Sequence, residues 1–187
     1  QLSAGAGRLL LGDTAVRVGR WWEPARPDLR DPAVAALRAR RLPIGSAEGL
    51  GGAVAALLSA AHHDDRSLCW LAPRLLGLGP GSTPSGDDVL CGALVTLAAA
   101  RDHGHELLAD AIGAAGVTSR TTRLSGVLLG HAARGECIPE LATLLAALDG
   151  RADLPTALRA ITRVGHTSGP ALVEGARLAL LTRGHFT

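Results

Sequence analysis

From about residue 67 onward, apolar positions recur every three or four residues in one segment after another, with glycine or proline at most of the joins. That period lays the apolar side chains along one face of a helix. It predicts helices over about Ser67–Leu76, Gly86–Arg101, His105–Ala115, Thr121–Arg134, Pro139–Leu148, Leu154–Val164 and Gly169–Thr182. Upstream, Asp31 is placed to cap a helix that carries Pro32 in its first turn and runs to about Arg41. A Gly-rich helix follows over about Glu48–Ala61. The first twenty residues read differently. Leu9-Leu10-Leu11 and Ala15-Val16-Arg17-Val18 flank Gly12-Asp13, a turn pair that tolerates positive φ, so a β-hairpin is expected there. Trp21-Trp22 then leads into a Pro-rich connector from Glu23 to Pro32. The expectation is a mainly α fold, a helical bundle with a small N-terminal β element packed against it. Residues 1–22 form the β element and residues 31–187 the helical body of a single domain, 1–187.

One internal repeat emerges from the same pattern. With Ser85 laid on Ser168, both copies give Ser-Gly, two residues, two aliphatics, one residue and then Gly, at Gly92 and Gly175. Each copy puts a hydroxyl-rich loop at the start of a helix whose second turn carries a glycine suited to close approach. Two such helix starts facing each other make one pocket.

Composition narrows the class. Of the 187 residues 47% are hydrophobic, mostly Ala, Leu and Val, and only 2% are aromatic, which suits close-packed helices better than a β-sandwich. Every basic residue apart from histidine is Arg; Lys, Asn, Tyr and Met are absent, as a GC-rich bacterial genome would produce. The lack of any Met suggests a processed or trimmed chain. The formal charge of +2 is scattered rather than clustered, so nucleic acid is not an expected partner. No apolar run reaches the roughly 18 residues of a membrane span and no signal peptide is evident, so a cytoplasmic protein is expected. Cys69, Cys91 and Cys137 are far apart, among apolar neighbours, and read as free thiols. His62-His63-Asp64-Asp65 looks like a metal cluster, but adjacent ligands rarely converge on one ion, and a solvated loop explains the run.

The loop from Gly77 to Asp88, Gly-Leu-Gly-Pro-Gly-Ser-Thr-Pro-Ser-Gly-Asp-Asp, carries the strongest chemical signal. Gly77, Gly79 and Gly81 allow close backbone approach to a ligand, Thr83 and Ser85 add hydroxyls, and the loop runs into a helix start whose free N–H groups and dipole favour an anion. It is not a Walker A loop, because no Lys follows and the glycine spacing differs. Asp87 and Asp88 would repel a bare phosphate unless a divalent cation lay between them or they held a neutral or cationic group. A second reading needs no ligand: Ser85 as N-cap with Asp88 three residues on forms a capping box. That accounts for neither the glycines, nor Thr83, nor the second Asp. Further on, Thr121-Thr122-Arg123-Leu124-Ser125 opens a helix with hydroxyls and a guanidinium fit to clamp a carboxylate or phosphate, or simply with a cap and a solvated arginine. Gly165-His166-Thr167-Ser168-Gly169 sets a His beside hydroxyls, though no Ser-His-Asp set with assignable roles is visible.

These three motifs, GLGPGSTPSGDD from Gly77, TTRLS from Thr121 and GHTSG from Gly165, resemble in order and spacing those of the bacterial AllH-like family, which includes a subunit of oxamate carbamoyltransferase from anaerobic allantoin breakdown. The likeness covers roughly residues 71–181. It implies carbamoyl phosphate chemistry, in which oxalurate and phosphate give oxamate and carbamoyl phosphate, in an assembly with two other subunits, one of them similar to acyl-CoA synthetases. Two departures stand out: Ser82 where the family loop usually has Leu, and Ala171 where members often carry Asp. The resulting expectation is an enzyme subunit binding a small anionic metabolite, a carboxylate, carbamoyl or phosphate compound, between the helix starts at Ser85, Thr121 and Ser168. Asp87, Asp88 and His166 are the candidates for catalysis, and Asp87 and Asp88 the candidates for holding Mg²⁺ or a substrate amide. Gly79, Gly81, Thr83, Ser85, Gly86, Thr121, Thr122, Arg123, Ser125, Thr167, Ser168 and Gly169 are the candidates for binding substrate. The rival expectation is a non-catalytic partner or scaffold whose loops dock another subunit.

Overall fold

The computed structural model of the chain describes residues 2–5, 8–11, 13–17, 19, 22–42 and 72–182. The helix expected at Glu48–Ala61, the His62–Asp65 run and Cys69 lie outside these residues. The chain begins with β1 (Leu2–Gly5), β2 (Arg8–Leu11) and β3 (Thr14–Arg17), an antiparallel sheet in the order β1-β2-β3. Leu9 pairs with Val16 and Leu11 with Thr14, which is the hairpin register expected from the sequence. The additional strand β1 pairs Leu2 with Leu11. Packing of this element against the helices is not seen at β3, whose four positions are all exposed. Four-residue strands offer two side chains per face, too few to make an apolar layer.

The helical elements are α1 (Pro32–Ala39), α2 (Ser85–Ala99), α3 (Gly104–Ala114), α4 (Val117–Arg120), α5 (Arg123–Ala132), α6 (Pro139–Leu148), α7 (Leu154–Ile161) and α8 (Ser168–Thr182). Residues 72–75 are helical as well. The chain is mostly helix, as expected. Asp31 caps α1 by accepting from the backbone N–H groups of Ala33 and Val34, and Asp153 caps α7 by accepting from Thr156. The helix expected from Thr121 to Arg134 forms as α5, beginning at Arg123, and the join before it holds the short α4; between them the extended backbone of Thr121 turns the chain before Thr122 caps α5.

At the centre lie α2 and α8, buried on nearly every side and therefore mostly apolar rather than amphipathic, with the buried Glu174 of α8 paired to Arg177 at 3.1 Å. They touch backbone to backbone. A β-carbon on Gly92 would stand 2.2 Å from the carbonyl oxygen of Leu172, and one on Gly175 would stand 2.0 Å from that of Val89. The same sequence offset relates Val89 to Leu172 and Gly92 to Gly175, so the contact is symmetric between the two copies of the repeat. The copies extend further back. Gly86 N–H donates to Leu78 O at 2.9 Å and Gly169 N–H to Val164 O at 2.8 Å, while Leu78 and Val164 each donate to the carbonyl three residues earlier, both at 2.9 Å. Two helix–loop–helix units are thus related by internal symmetry, with a loop three residues shorter in the second. Their loops meet where the Thr83 and Ser168 hydroxyls lie 3.2 Å apart.

The Pro-rich connector is strapped to the helices. Ala25 exchanges backbone hydrogen bonds of 3.0 and 2.9 Å with Cys137, and Leu29 N–H donates to Ala99 O at 2.9 Å. This holds Trp22 and Pro24 beside α5 and α6, where they form part of a wall described below.

Candidate functional site

Of the two adjacent carboxylates, Asp87 serves the loop. Its Oδ1 accepts from the Gly77 N–H at 2.9 Å and its Oδ2 from the Thr121 hydroxyl, with the side chain 1% exposed. Thr122 adds a second tie, donating to the Ser82 carbonyl at 2.6 Å. Gly77, at φ +73°, packs so near that a β-carbon there would reach within 2.1 Å of the Arg120 carbonyl oxygen. The first two motifs therefore form one interlocked unit in which the threonines clasp the glycine loop.

The capping box is not formed. Pro84 occupies the N-cap of α2 without a side-chain cap bond, and Ser85 is the first helical residue. The Gly86 N–H is taken by Leu78 O, and those of Asp87 and Asp88 by Pro84 O, at 2.9 and 3.2 Å. These backbone donors of the first turn are satisfied within the loop itself, because the chain folds back over the helix start. Neither a capping role for Asp88 nor open N–H groups for an anion remain at these positions.

Asp88 faces the other way, into a cavity of about 390 Å³ bounded by α2, α5, the start of α6, the loop before α8 and the Trp22–Pro24 segment. Thr83, Asp88, Gly165 and Ser168 meet at one end of it. Asp88 is 5% exposed, and its Oδ2 has no hydrogen-bond partner. Burial pushes its pKa up from 3.8 to about 6; a hydrogen bond from Ser168 opposes the rise and the neighbouring Asp87 adds to it. Most of the remaining wall is apolar, with Val95, Leu128, Ala132, Ile138, Leu141 and Leu172 prominent. Cys91 and Cys137 also line it, and burial raises both thiols, that of Cys137 to about 12.

The sequence reading missed the far end of the cavity. His131, in the last turn of α5, lines it and holds Nδ1 2.7 Å from Glu136 Oε2. Glu136 is 8% exposed; its Oε1 receives Arg26 Nη2 at 2.5 Å and its Oε2 receives Arg134 Nε at 3.2 Å. The Arg26 guanidinium, then His131 and Arg134, hold its pKa down at about 2. Arg26 and Glu136 are joined across 110 positions of sequence. The only local signal was a His-x-x-Arg-x-Glu cluster at the end of α5.

The other expected residues fall into place around this core. Ser85 is buried next to Gly79, where a β-carbon would come within 3.0 Å of the Ser85 backbone nitrogen. Gly81 faces open space. Gly86 and Gly169 let the preceding helices approach, since a β-carbon would stand 2.1 Å from Leu75 O and 1.9 Å from Ile161 O. Ser125 is buried with an unpartnered hydroxyl, and Arg123 is exposed on a separate groove between α3 and α5. His166 is exposed and Thr167 half-buried, and neither lines the cavity. Ala171 is fully buried and corresponds in the repeat to Asp88. Among the described residues no group of three or more His, Cys, Asp or Glu side chains gathers as a metal site. No helix among them is long and apolar enough to cross a membrane.

A helical unit with two related loops, one interlocked with a threonine clasp and both opening on one cavity, defines the class. The family model described as oxamate carbamoyltransferase subunit AllH matches residues 75–180, which contain both copies of the repeat, and the chain belongs to that family. No curated protein and no solved structure matches it.

Proposed function

We propose that the chain is a subunit of an oxamate carbamoyltransferase-type enzyme and that the cavity between α2, α5 and α8 holds the carbamoyl-bearing ligand. The observation that carries this reading is Asp88, a nearly buried carboxyl that lines the cavity and has one oxygen without a hydrogen-bond partner. Leaving such an atom unpartnered costs stability, so it marks a place where a ligand supplies the missing donor. A carbamoyl or ureido N–H is such a donor. Ser168 already gives its hydrogen to Asp88, so the Thr83 hydroxyl, 3.2 Å from the Ser168 oxygen, is the donor left for the carbonyl oxygen.

In the phosphorolysis of oxalurate, a phosphate oxygen attacks the ureido carbon and the carbon–nitrogen bond breaks. The departing oxamate nitrogen takes up the proton that phosphate loses. A carboxyl titrating at about 6 is suited to relaying that proton, accepting it from phosphate and passing it to the leaving nitrogen. Asp87 acts through the loop: by fixing Gly77 and Thr121 it positions Asp88 without touching the ligand. Were Mg²⁺ to accompany the phosphate, Asp88 would be the carboxylate left to hold it, because Gly77 and Thr121 engage both oxygens of Asp87, and the ion would then replace the ureido N–H there.

A second surface supports the role of subunit. Leu124, Val127 and Leu128 are exposed on one face of α5 at helical spacing, and the last two line the same cavity. This face is where a companion subunit docks and closes the site. The test is thermal unfolding of the chain with oxalurate, oxamate, carbamoyl phosphate and phosphate, with and without Mg²⁺. A ligand at a hundred times its Kd raises stability by about 2.7 kcal/mol. At least one of these compounds should do so for the parent chain and fail for Asp88→Asn. An equal response in both proteins overturns the assignment.

A further inference from the structure

Oxalurate and phosphate are anions, and the cavity proposed for them carries negative charge of its own. Asp88 lines the wall, and its neighbour Asp87 is met at both oxygens only by the uncharged donors of Gly77 and Thr121. The other carboxylate of the wall, Glu136, already has Arg26 and Arg134 on it, and neither guanidinium lines the cavity. With the Nδ1 hydrogen turned to Glu136, His131 has only the Nε2 lone pair left. Arg123 lies on the separate groove, and Arg120 donates to the Pro73 carbonyl. Among the described residues no Arg lines the cavity, and the sequence contains no Lys. Most of the remaining wall is aliphatic, so like charges there are poorly screened. The rim, by contrast, is apolar and open. Trp22 is 63% exposed, Val127 55% and Leu128 36%, and all three line the cavity, from the connector before α1 and from the α5 face. Large apolar side chains at the mouth of a site with unmatched negative charge form a seat for a surface of opposite charge.

We infer that the companion subunit seated on this rim delivers an arginine or lysine into the cavity, and that this cation meets the phosphate and carboxylate charge of the substrates. This rests on the reading of Asp88 as the ligand-facing carboxyl and deepens it. The chain supplies the half of the site that recognises the neutral ureido group, and the companion supplies the half that recognises charge. A guanidinium or ammonium entering an aliphatic cavity loses its water, and it does so at a profit only where anions await it; Asp88 and the substrate provide them. A side chain suits this place better than a metal ion, since among the described residues no three His, Cys, Asp or Glu groups gather to hold one. The companion's apolar residues then cover Trp22, Val127 and Leu128 and exclude water from the reacting groups.

The test is calorimetric titration of the full chain with oxalurate and with acetylurea, each with and without Mg²⁺. Acetylurea keeps the ureido group and carries a methyl in place of the carboxylate. The parent chain should bind acetylurea at least about tenfold more tightly than oxalurate, and Asp88→Asn should weaken acetylurea. Trp22→Arg and Val127→Arg each place a guanidinium on the rim. At least one of them should raise oxalurate affinity about tenfold or more, leave acetylurea within about twofold, and lose the gain as salt is raised. Leu37→Arg, on an exposed position of α1 that does not line the cavity, should change neither affinity. If oxalurate binds the parent as tightly as acetylurea, or if neither rim arginine raises its affinity, the inference is overturned while the reading of Asp88 stands. An equal gain from Mg²⁺ alone assigns the cation to a metal, and oxalurate affinity that rises as the chain self-associates in sedimentation assigns it to a second copy; either overturns the companion's role. If neither probe binds, or if Asp88→Asn leaves both affinities unchanged, the reading of Asp88 falls and the inference with it.

Discussion

Replacing Asp88 by Asn should make the unliganded chain more stable above neutral pH, and the size of the gain follows from the site. The rise of its pKa from 3.8 to about 6 corresponds to about 3 kcal/mol of preference for the neutral form in the folded chain. A carboxyl raised in this way binds its proton more tightly folded than unfolded. Stability is therefore lost as pH climbs from about 4 to about 6, and it stays lower above that. Asn removes the charge and keeps an oxygen for the Ser168 hydroxyl. Its amide hydrogens replace an oxygen that had no partner either, so the hydrogen-bond account changes little. Allowing for partial screening by solvent at the cavity, the expected gain at pH 8 is about 1–2 kcal/mol, or about 3–6 °C in Tm for a chain of this length. It should shrink as pH falls below 6, to roughly a third of its full size at pH 4.5. The lowered carboxyl of Glu136 does not interfere, because its contribution is lost only as pH falls below about 4.5 toward 2. Melting curves of parent and variant between pH 4.5 and 8 give the answer. A variant less stable than the parent at pH 8, or a difference that does not change with pH, refutes the argument that Asp88 is a buried, unsatisfied carboxyl.

Three further outcomes follow from the packing and the loop. Gly92→Ala and Gly175→Ala should each cost about 3 kcal/mol, since the added carbon meets a carbonyl oxygen of the facing helix, whereas Gly113→Ala, with nothing near its β-carbon, should gain about 0.5–1 kcal/mol in chemical denaturation. Asp87→Asn should lose about 1–2 kcal/mol, because one of the bonds to Gly77 and Thr121 is lost; an unchanged midpoint contradicts its role as the anchor of the loop. Purified alone, the chain should show no phosphorolysis of oxalurate in a carbamoyl phosphate assay, and turnover by the isolated chain contradicts the need for companion subunits.

Much of the frame was legible in the sequence because it is local. Helical period and Asp31 before Pro32 each act within a few residues, and both are borne out, as is the pairing of residues 8–11 with 14–17. The repeat was legible because close helix contact demands glycine, so Gly92 and Gly175 recur at one spacing from Ser85 and Ser168. The division of labour between Asp87 and Asp88 was not legible. Neighbours on a helix point about 100° apart, and only the position of Thr121 shows which of them faces inward to the loop. The capping box looked sound by spacing, but Pro84 and the loop carbonyls fill those places. The His131 end escaped notice because it depends on Arg26, brought across by the Ala25–Cys137 pairing.

The most direct measurement is a crystal structure of the chain grown with oxalurate. The account predicts the ligand in the cavity between α2, α5 and α8, with a ureido nitrogen within hydrogen-bond distance of Asp88 Oδ2 and the carbonyl oxygen facing Thr83. Oxalurate seated instead on the Arg123 groove, or a cavity in which Asp88 Oδ2 is already met by a donor from the chain itself, would contradict it.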